Sequence, residues 1–219
     1  DIDTCTIQPV EATDTLDFRH STISDLTLDF TRCNSTTPQP HCDFRHAVLT
    51  TGHLGQPDAD PVLYDLRTTT LGALTLDDTA TGPMLDWYRF ARTTFDGFDF
   101  TTIRTHLDDA DWNIHTSAAT DDTPGNHEPV DLETTYLKAK TGAEQLGDDQ
   151  AVSQFFRKEM TYRRHRHRQL ITTDGSLKRR AAAFNRYVYN LLLAITTGHG
   201  ELSRRVLYSS AATILVFAA

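Results

Sequence analysis

Leu16-Asp17-Phe18-Arg19-His20, Ser21-Thr22-Ile23-Ser24-Asp25, Leu26-Thr27-Leu28-Asp29-Phe30 and Thr31-Arg32-Cys33 return an apolar residue at positions 18, 23, 28 and 33. A helix places apolar residues three or four apart, and a half-buried strand places them two apart. A spacing of five fits neither. It fits a chain that turns a corner after each short extended piece.

The spacing returns downstream at Phe44 and Leu49, at Leu66, Leu71 and Leu76, and at Leu85, Phe90, Phe95 and Phe100. After a two-residue slip, Leu107 and Trp112 continue it. The expected inward core is therefore Phe18, Ile23, Leu28, Cys33, Phe44, Leu49, Leu66, Leu71, Leu76, Phe90, Phe95, Phe100 and Trp112. Two residues before an inward position stands a second one, often small or β-branched, as at Ser21, Thr31, Ala47, Thr69, Thr93 and Ala110.

Leu16-Asp17-Phe18-Arg19-His20, Cys42-Asp43-Phe44-Arg45-His46, Tyr64-Asp65-Leu66-Arg67-Thr68 and Ala110-Asp111-Trp112-Asn113-Ile114 resemble the repeat unit of the pentapeptide-repeat family. The resemblance implies a mainly β fold, a right-handed quadrilateral β-helix with one pentad per side. The repeats are degenerate. Tyr64, Tyr88 and Phe98 exceed the small residue that the family places there, so bulged coils and an uneven core are expected. The competing reading is a β-sandwich with irregular strands, against which four in-phase pentads in a row weigh. Repeat scaffolds bury their core only by stacking, so their ends need covering.

The repeat is interrupted at 34–41, at 52–61, which reads as a loop, and at 80–83. Residues 116–129 have the composition of a linker. The expected organisation is a repeat β-helix over 1–115, the linker, a helical hairpin over 130–172, and an amphipathic helix over 176–197. The start of a truncated transmembrane helix is expected over 204–219.

The hairpin reading rests on two patterns. Leu132, Tyr136, Ala139 and Ala143 share one helix face behind Asp131, a candidate cap, and Gly147-Asp148 turns the chain. Ala151, Val152, Phe155, Phe156, Glu159 and Met160 then recur at helical spacing, so an antiparallel pair is expected over the open end of the coil. A lone tetratricopeptide-like hairpin is the alternative. Tyr136-Leu137-Lys138-Ala139-Lys140, Gly147-Asp148, Ala151, Phe155-Phe156-Arg157-Lys158-Glu159-Met160 and Tyr162-Arg163-Arg164 resemble a segment of haloarchaeal membrane proteins. In those proteins it follows pentapeptide repeats and precedes transmembrane helices, and some members carry a potassium-channel-like pore.

Charge agrees with a salt-loving archaeal origin. The 219 residues carry 30 acidic and 21 basic side chains, and Lys occurs only at 138, 140, 158 and 178. An excess of acid keeps a protein hydrated and soluble. The excess is unevenly placed: residues 1–135 hold 24 acids and 7 bases, a net −17, whereas 136–219 hold 6 and 14, a net +8. Such a split suggests an acidic body held near something anionic by its C-terminal part. Cys5, Cys33 and Cys42 match no zinc spacing and read as small hydrophobes. The chain opens at Asp1 without a visible signal peptide, as expected of a fragment or a processed product.

Tyr162-Arg163-Arg164-His165-Arg166-His167-Arg168 is a dense basic run, and Lys178-Arg179-Arg180 precedes the amphipathic helix. On that helix Phe184, Val188, Leu191, Leu192 and Ile195 share a face opposite Asn185, Arg186 and Asn190. Arg204 and Arg205 stand before 14 uncharged residues, 206–219, and on the positive-inside rule would keep residues 1–205 in the cytoplasm. Arg163, Arg164, Arg166, Arg168, Arg204 and Arg205 are thus the candidate lipid contacts. A solvated helix end and a buried terminal helix are the plainer readings. Nucleic acid ranks last as a partner, because aromatic residues suited to base stacking are sparse around the basic run.

No G-x-S-x-G, H-E-x-x-H or phosphate-loop motif occurs. His165 and His167 would point about 200° apart on a helix, a poor metal pair. No catalytic, cofactor or metal residue is assigned. The expected function is a non-enzymatic cytoplasmic scaffold or regulatory domain of a membrane protein, an ion channel for potassium being the foremost candidate. It would be membrane-associated through its C-terminus and able to bind a protein partner or itself. The alternatives are a soluble acidic DNA mimic acting on an enzyme such as gyrase, and a protein-binding adaptor.

Overall fold

The computed structural model describes residues 1–7, 15–30, 40–57, 60–79, 82–115, 128–173 and 175–196. Strands β1 (Ile2–Ile7), β3 (Thr22–Leu28), β5 (Val48–Leu54), β7 (Thr70–Leu76) and β9 (Thr94–Phe95) stack in that order as a parallel sheet. Strands β2 (Thr15–Asp17), β4 (His41–Asp43), β6 (Leu63–Asp65) and β8 (Tyr88–Arg89) form a second one. Neighbours within a sheet alternate in sequence, so the chain winds between the sheets as a β-solenoid.

Register shows how the coil absorbs irregular repeats. Ile2 pairs with Ile23, Thr22 with Val48, Val48 with Thr70 and Thr70 with Thr94, giving coils of 21, 26, 22 and 24 residues. The corner from the second sheet to the first is always four residues long (18–21, 44–47, 66–69 and 90–93), so the variation lies in the opposite returns. At each corner the amide of Ser21, Ala47, Thr69 or Thr93 donates to the carbonyl of Phe18, Phe44, Leu66 or Phe90, at 2.9–3.2 Å. The third corner residue, His20, His46, Thr68 or Arg92, holds φ between 59° and 64°. A type II turn requires positive φ at that place. The buried hydroxyls of Thr69 and Thr93 also donate to Phe44 and Leu66 of the preceding coil, both at 2.6 Å.

The pentad positions line the interior. Ile23, Leu28, Phe44, Leu49, Leu66, Leu71, Leu76, Phe90, Phe95, Phe100 and Trp112 are buried, and Phe18 is half-buried against Phe44 with its ring stacked at 4.8 Å. That distance is one strand spacing. Cys33 lies outside the described residues. Tyr64 and Tyr88 sit inside as a stack at 5.2 Å. Their hydroxyls donate to the carbonyls of Gly55 (2.5 Å) and Asp77 (2.9 Å), so their polar ends are satisfied.

Two expectations need correction. Gly52, His53 and Leu54 belong to β5 and not to a loop over 52–61. Gly52 holds φ 144°, and a Cβ there would stand 1.9 Å from the carbonyl oxygen of Leu26, so glycine lets adjacent coils close up. The coil also does not continue through 100–115. Phe100–Ile103 form a 3-10 turn and Arg104–Asp109 form helix α1. The Asp99 carboxylate starts that turn by accepting the Thr101 amide at 2.9 Å, and Trp112 lies in the turn after α1 with φ 58°.

Helix α2 (Pro129–Leu146) and helix α3 (Asp149–Thr173) form the hairpin. Pro129 occupies the first turn and Glu128 the N-cap, so Asp131 lies within the helix instead of capping it. Gly147, at φ 70°, ends α2, and the Asp148 carboxylate accepts the Ala151 amide at 3.1 Å to start α3. Leu132, Tyr136, Ala139 and Ala143 of α2 and Ala151 and Phe155 of α3 are buried, all but Leu132 in one cluster with the coil core. The hairpin seals the end of the solenoid.

Helix α4 (Leu177–Thr196) returns along α3. Ala183 and Asn190 are buried, and Asn190 Nδ2 approaches Met160 Sδ of α3 at 3.8 Å, whereas Phe184 and Leu192 are each 54% exposed. No helix among the described residues is long and apolar enough to cross a membrane, and 204–219 lie outside them.

Candidate functional site: an Asp-Arg ladder and a cationic helical layer

The D-x-R triplet of the repeats becomes a ladder along one side of the solenoid. Each Arg hooks back on the Asp two residues earlier: Arg19 Nη2 meets Asp17 Oδ2 at 2.6 Å, Arg45 meets Asp43 at 2.7 Å and Arg67 meets Asp65 at 2.5 Å. Each hook also faces its neighbour. Arg19 lies 3.7 Å from Asp43, Arg45 lies 3.9 Å from Asp65, and Arg89 reaches Asp65 at 3.5 Å. Burial grows along the ladder, from 48% exposure of the Asp17 side chain to 6% at Asp43 and 1% at Asp65.

Its electrostatics follow. The Arg19 side chain and amide hold the exposed Asp17 carboxyl down at about 2. At Asp43 burial opposes ionisation, yet bonds from the Arg45 side chain and amide leave its carboxyl below the usual range. Burial pushes the Cys42 thiol up and the neighbouring His41 imidazole down. Beside the ladder, the His20 and His46 rings stack at 4.9 Å, and His46 Nδ1 lies 3.0 Å from Thr68 Oγ1. Four guanidiniums interleaved with three carboxylates make a stacked ion-pair network, whose chemical role is to lock coil to coil.

The ladder ends where the cap begins. Arg92 pairs with Asp131 of α2, its amide donates to Thr135 Oγ1 at 2.9 Å, and Lys138 Nζ donates to its carbonyl at 2.8 Å. Arg104 reaches Asp148 at 2.6 Å, and Lys158 reaches Asp111 at 2.8 Å. Inside, the Tyr136 hydroxyl stands 2.7 Å from His115 Nδ1 while the Tyr162 hydroxyl stands 3.2 Å from His115 Nε2. Burial raises both phenols, so both stay protonated, and the Tyr136 oxygen also accepts the Ile114 amide at 3.2 Å. The arrangement is a hydrogen-bonded joint between Ile114-His115 and the hairpin.

The basic run divides by helix face. Glu159 is 2% exposed, accepts from Arg163 (2.5 Å) and forms an ion pair with Lys140 (3.1 Å), while Glu133 accepts from Arg163 (2.8 Å) and forms an ion pair with Arg166 (2.9 Å). Arg163 and Arg166, two of the candidate lipid contacts, are thereby engaged in ion pairs of the hairpin. Positions 159, 163 and 166 fall on one face of α3, toward α2. The partner carboxylate Glu133 is thirty positions away in sequence from Arg163, which hid the network. Arg164 and Arg168 form no ion pair among the described residues, and Arg204 and Arg205 lie outside them. Burial, together with the neighbouring arginines, lowers His165 and His167.

A cleft of about 480 Å³ opens between the end of β7 and α1, lined by Asp78, Met84, Leu85, Asp86, His106 and Asp109. His106 Nε2 lies 3.5 Å from Asp78. Among the described residues, no group of three or more His, Cys, Asp or Glu is placed to hold a metal ion. Compared with family models, curated proteins and solved structures, the chain matches none.

Proposed function

We propose that this chain is a non-enzymatic scaffold, the cytoplasmic regulatory domain of a haloarchaeal membrane protein, with a potassium channel as the foremost candidate. On this reading the solenoid is a right-handed, four-sided coil of degenerate pentapeptide repeats. The observation that carries the proposal is the order of parts. A coil closed at one end by a hairpin hands the chain to a cationic helix with an exposed apolar side, shortly before the uncharged residues 206–219. The coil would serve assembly, or bias a pore, through its rigid surface.

The DNA-mimic reading is weaker. A mimic of a duplex needs unbroken rows of negative charge, and the ladder interleaves Arg19, Arg45, Arg67 and Arg89 with its carboxylates.

Fractionation of cells expressing the complete gene tests the proposal. The protein is expected in the membrane fraction, resistant to alkaline carbonate, with residues 1–205 open to protease only from the cytoplasmic side. Recovery of the whole product in the soluble fraction would overturn it, and reconstituted vesicles without ion flux would remove the channel assignment.

A further inference from the structure

Helix α4 contains four cations, Lys178, Arg179, Arg180 and Arg186, and no acid. Ala183 and Asn190 face α3 and are buried, and Leu177 (79%), Tyr189 (67%) and Phe184 (54%) are exposed. At about 100° per residue, Leu177, Ala181, Phe184 and Val188 fall within about 60° of arc. Lys178 and Arg180 then stand about 80° to either side of that stripe. Apolar body and cationic margins form one surface.

We propose that α4 lies flat on an anionic lipid bilayer, burying Leu177 and Phe184 among the acyl chains and placing Lys178 and Arg180, with Tyr189 beside Lys178, at the phosphates. Arg164 and Arg168 of α3 add positive charge beside it, and none of these four cations pairs with an acidic side chain among the described residues. Lipid is the occupant that satisfies both features. A second copy packed parallel would set cation against cation, and one packed antiparallel would leave the cations facing an uncharged helix end. An uncharged helix would cover the stripe and leave its margins uncompensated. A nucleic acid would neutralise the margins and leave Leu177 and Phe184 in water. An interfacial helix takes its affinity from buried apolar area and anionic lipid together. The inference rests on the membrane-domain reading and adds to it the surface, the lipid class and the orientation.

The full chain is tested by sedimentation with phosphatidylcholine vesicles, with and without phosphatidylglycerol. Binding is expected to be at least about tenfold tighter with the anionic lipid. Phe184→Glu and Leu177→Glu should each weaken it about tenfold or more, and Lys178→Glu with Arg180→Glu should abolish the anionic preference. Both apolar sites are exposed, and unchanged circular dichroism verifies the fold. Binding by Phe184→Glu equal to the parent would overturn the inference. So would equal affinity for both vesicle types, an oligomer dispersed by Phe184→Glu without lipid, or tighter binding to duplex DNA. Carbonate-resistant membrane retention of the Phe184→Glu protein, alongside unaltered vesicle binding, would sink the flat-helix inference and leave the membrane-domain reading standing.

Discussion

Phe100 and Phe155 meet edge to face with ring centroids 4.8 Å apart, and through them the last coil and the cap share one core. Trp112 packs on the same Phe155 ring at 5.2 Å, and Phe95 lies 4.9 Å behind Phe100. A solenoid of stacked rungs has no core of its own at its end. Here an aromatic from the third helix supplies the missing rung.

Truncation of that ring should therefore act on the whole fold. Phe155→Ala is expected to cost about 3–5 kcal/mol, the range for removing a buried aromatic. The measurement is equilibrium guanidinium unfolding followed by fluorescence. A loss below about 1 kcal/mol would mean the cap and coil are energetically independent.

Helix α2 approaches the coil closely at one residue. A Cβ on Gly142 would stand 2.5 Å from the Phe95 Cβ and 2.6 Å from its carbonyl oxygen. Gly142→Ala should cost about 1–3 kcal/mol by forcing the helix off the last rung. Gly175→Ala, where a Cβ meets nothing within 4 Å, should stay within about 0.5 kcal/mol of the parent. Paired thermal melts compare them.

Asp65 is the most buried carboxylate of the ladder, 1% exposed, and faces Arg67 and Arg89. Asp65→Asn leaves those guanidiniums without their charge. Breaking a buried pair costs about 3–5 kcal/mol, and partial solvation of the arginines reduces that to about 2–3 kcal/mol. Asp17→Asn, at the exposed end of the same ladder, should change stability far less. Urea midpoints at neutral pH would rank the two, and equal effects would refute the burial gradient.

Acid should unlock the ladder. A carboxyl depressed in the fold contributes stability above its ordinary value near 4, and loses it as pH falls through the folded value. Asp17 sits at about 2, and Asp43 is lowered as well, so this contribution fades from about pH 4 down to about pH 2. The lowered His41, His165 and His167 favour their neutral forms in the fold, so stability also falls as pH drops below about 6.5. Thermal midpoints across this range should decline in two stages, and a midpoint rising with acid would contradict the assignment.

The fivefold pattern made the inward columns readable, because every rung repeats the same side-chain direction and short-range spacing alone encodes it. Positions such as Ile23, Leu49 and Leu71 needed no knowledge of their neighbours. The corners were harder. His20, His46, Thr68 and Arg92 take positive φ without being Gly or Asn, and no turn residue announces it; the amides of His20 and Thr68 donate to the next coil and that of Arg92 to Thr135 of α2. Likewise Gly52 in β5 resembled a loop residue, since its close contact with Leu26 comes from another coil.

Local order along the chain thus specified a β coil followed by amphipathic helices, with the apolar residues and the uneven charge in view from the start. Which arginines are spent internally was settled by packing. Arg163 and Arg166 differ from Arg164 and Arg168 only in the helix face they occupy, and it is the neighbouring Glu133 and Glu159 that make the difference. The same holds for α4. Its burial of Asn190 and exposure of Phe184 depend on which side α3 meets, and a contact between distant segments leaves no trace in the spacing of either one.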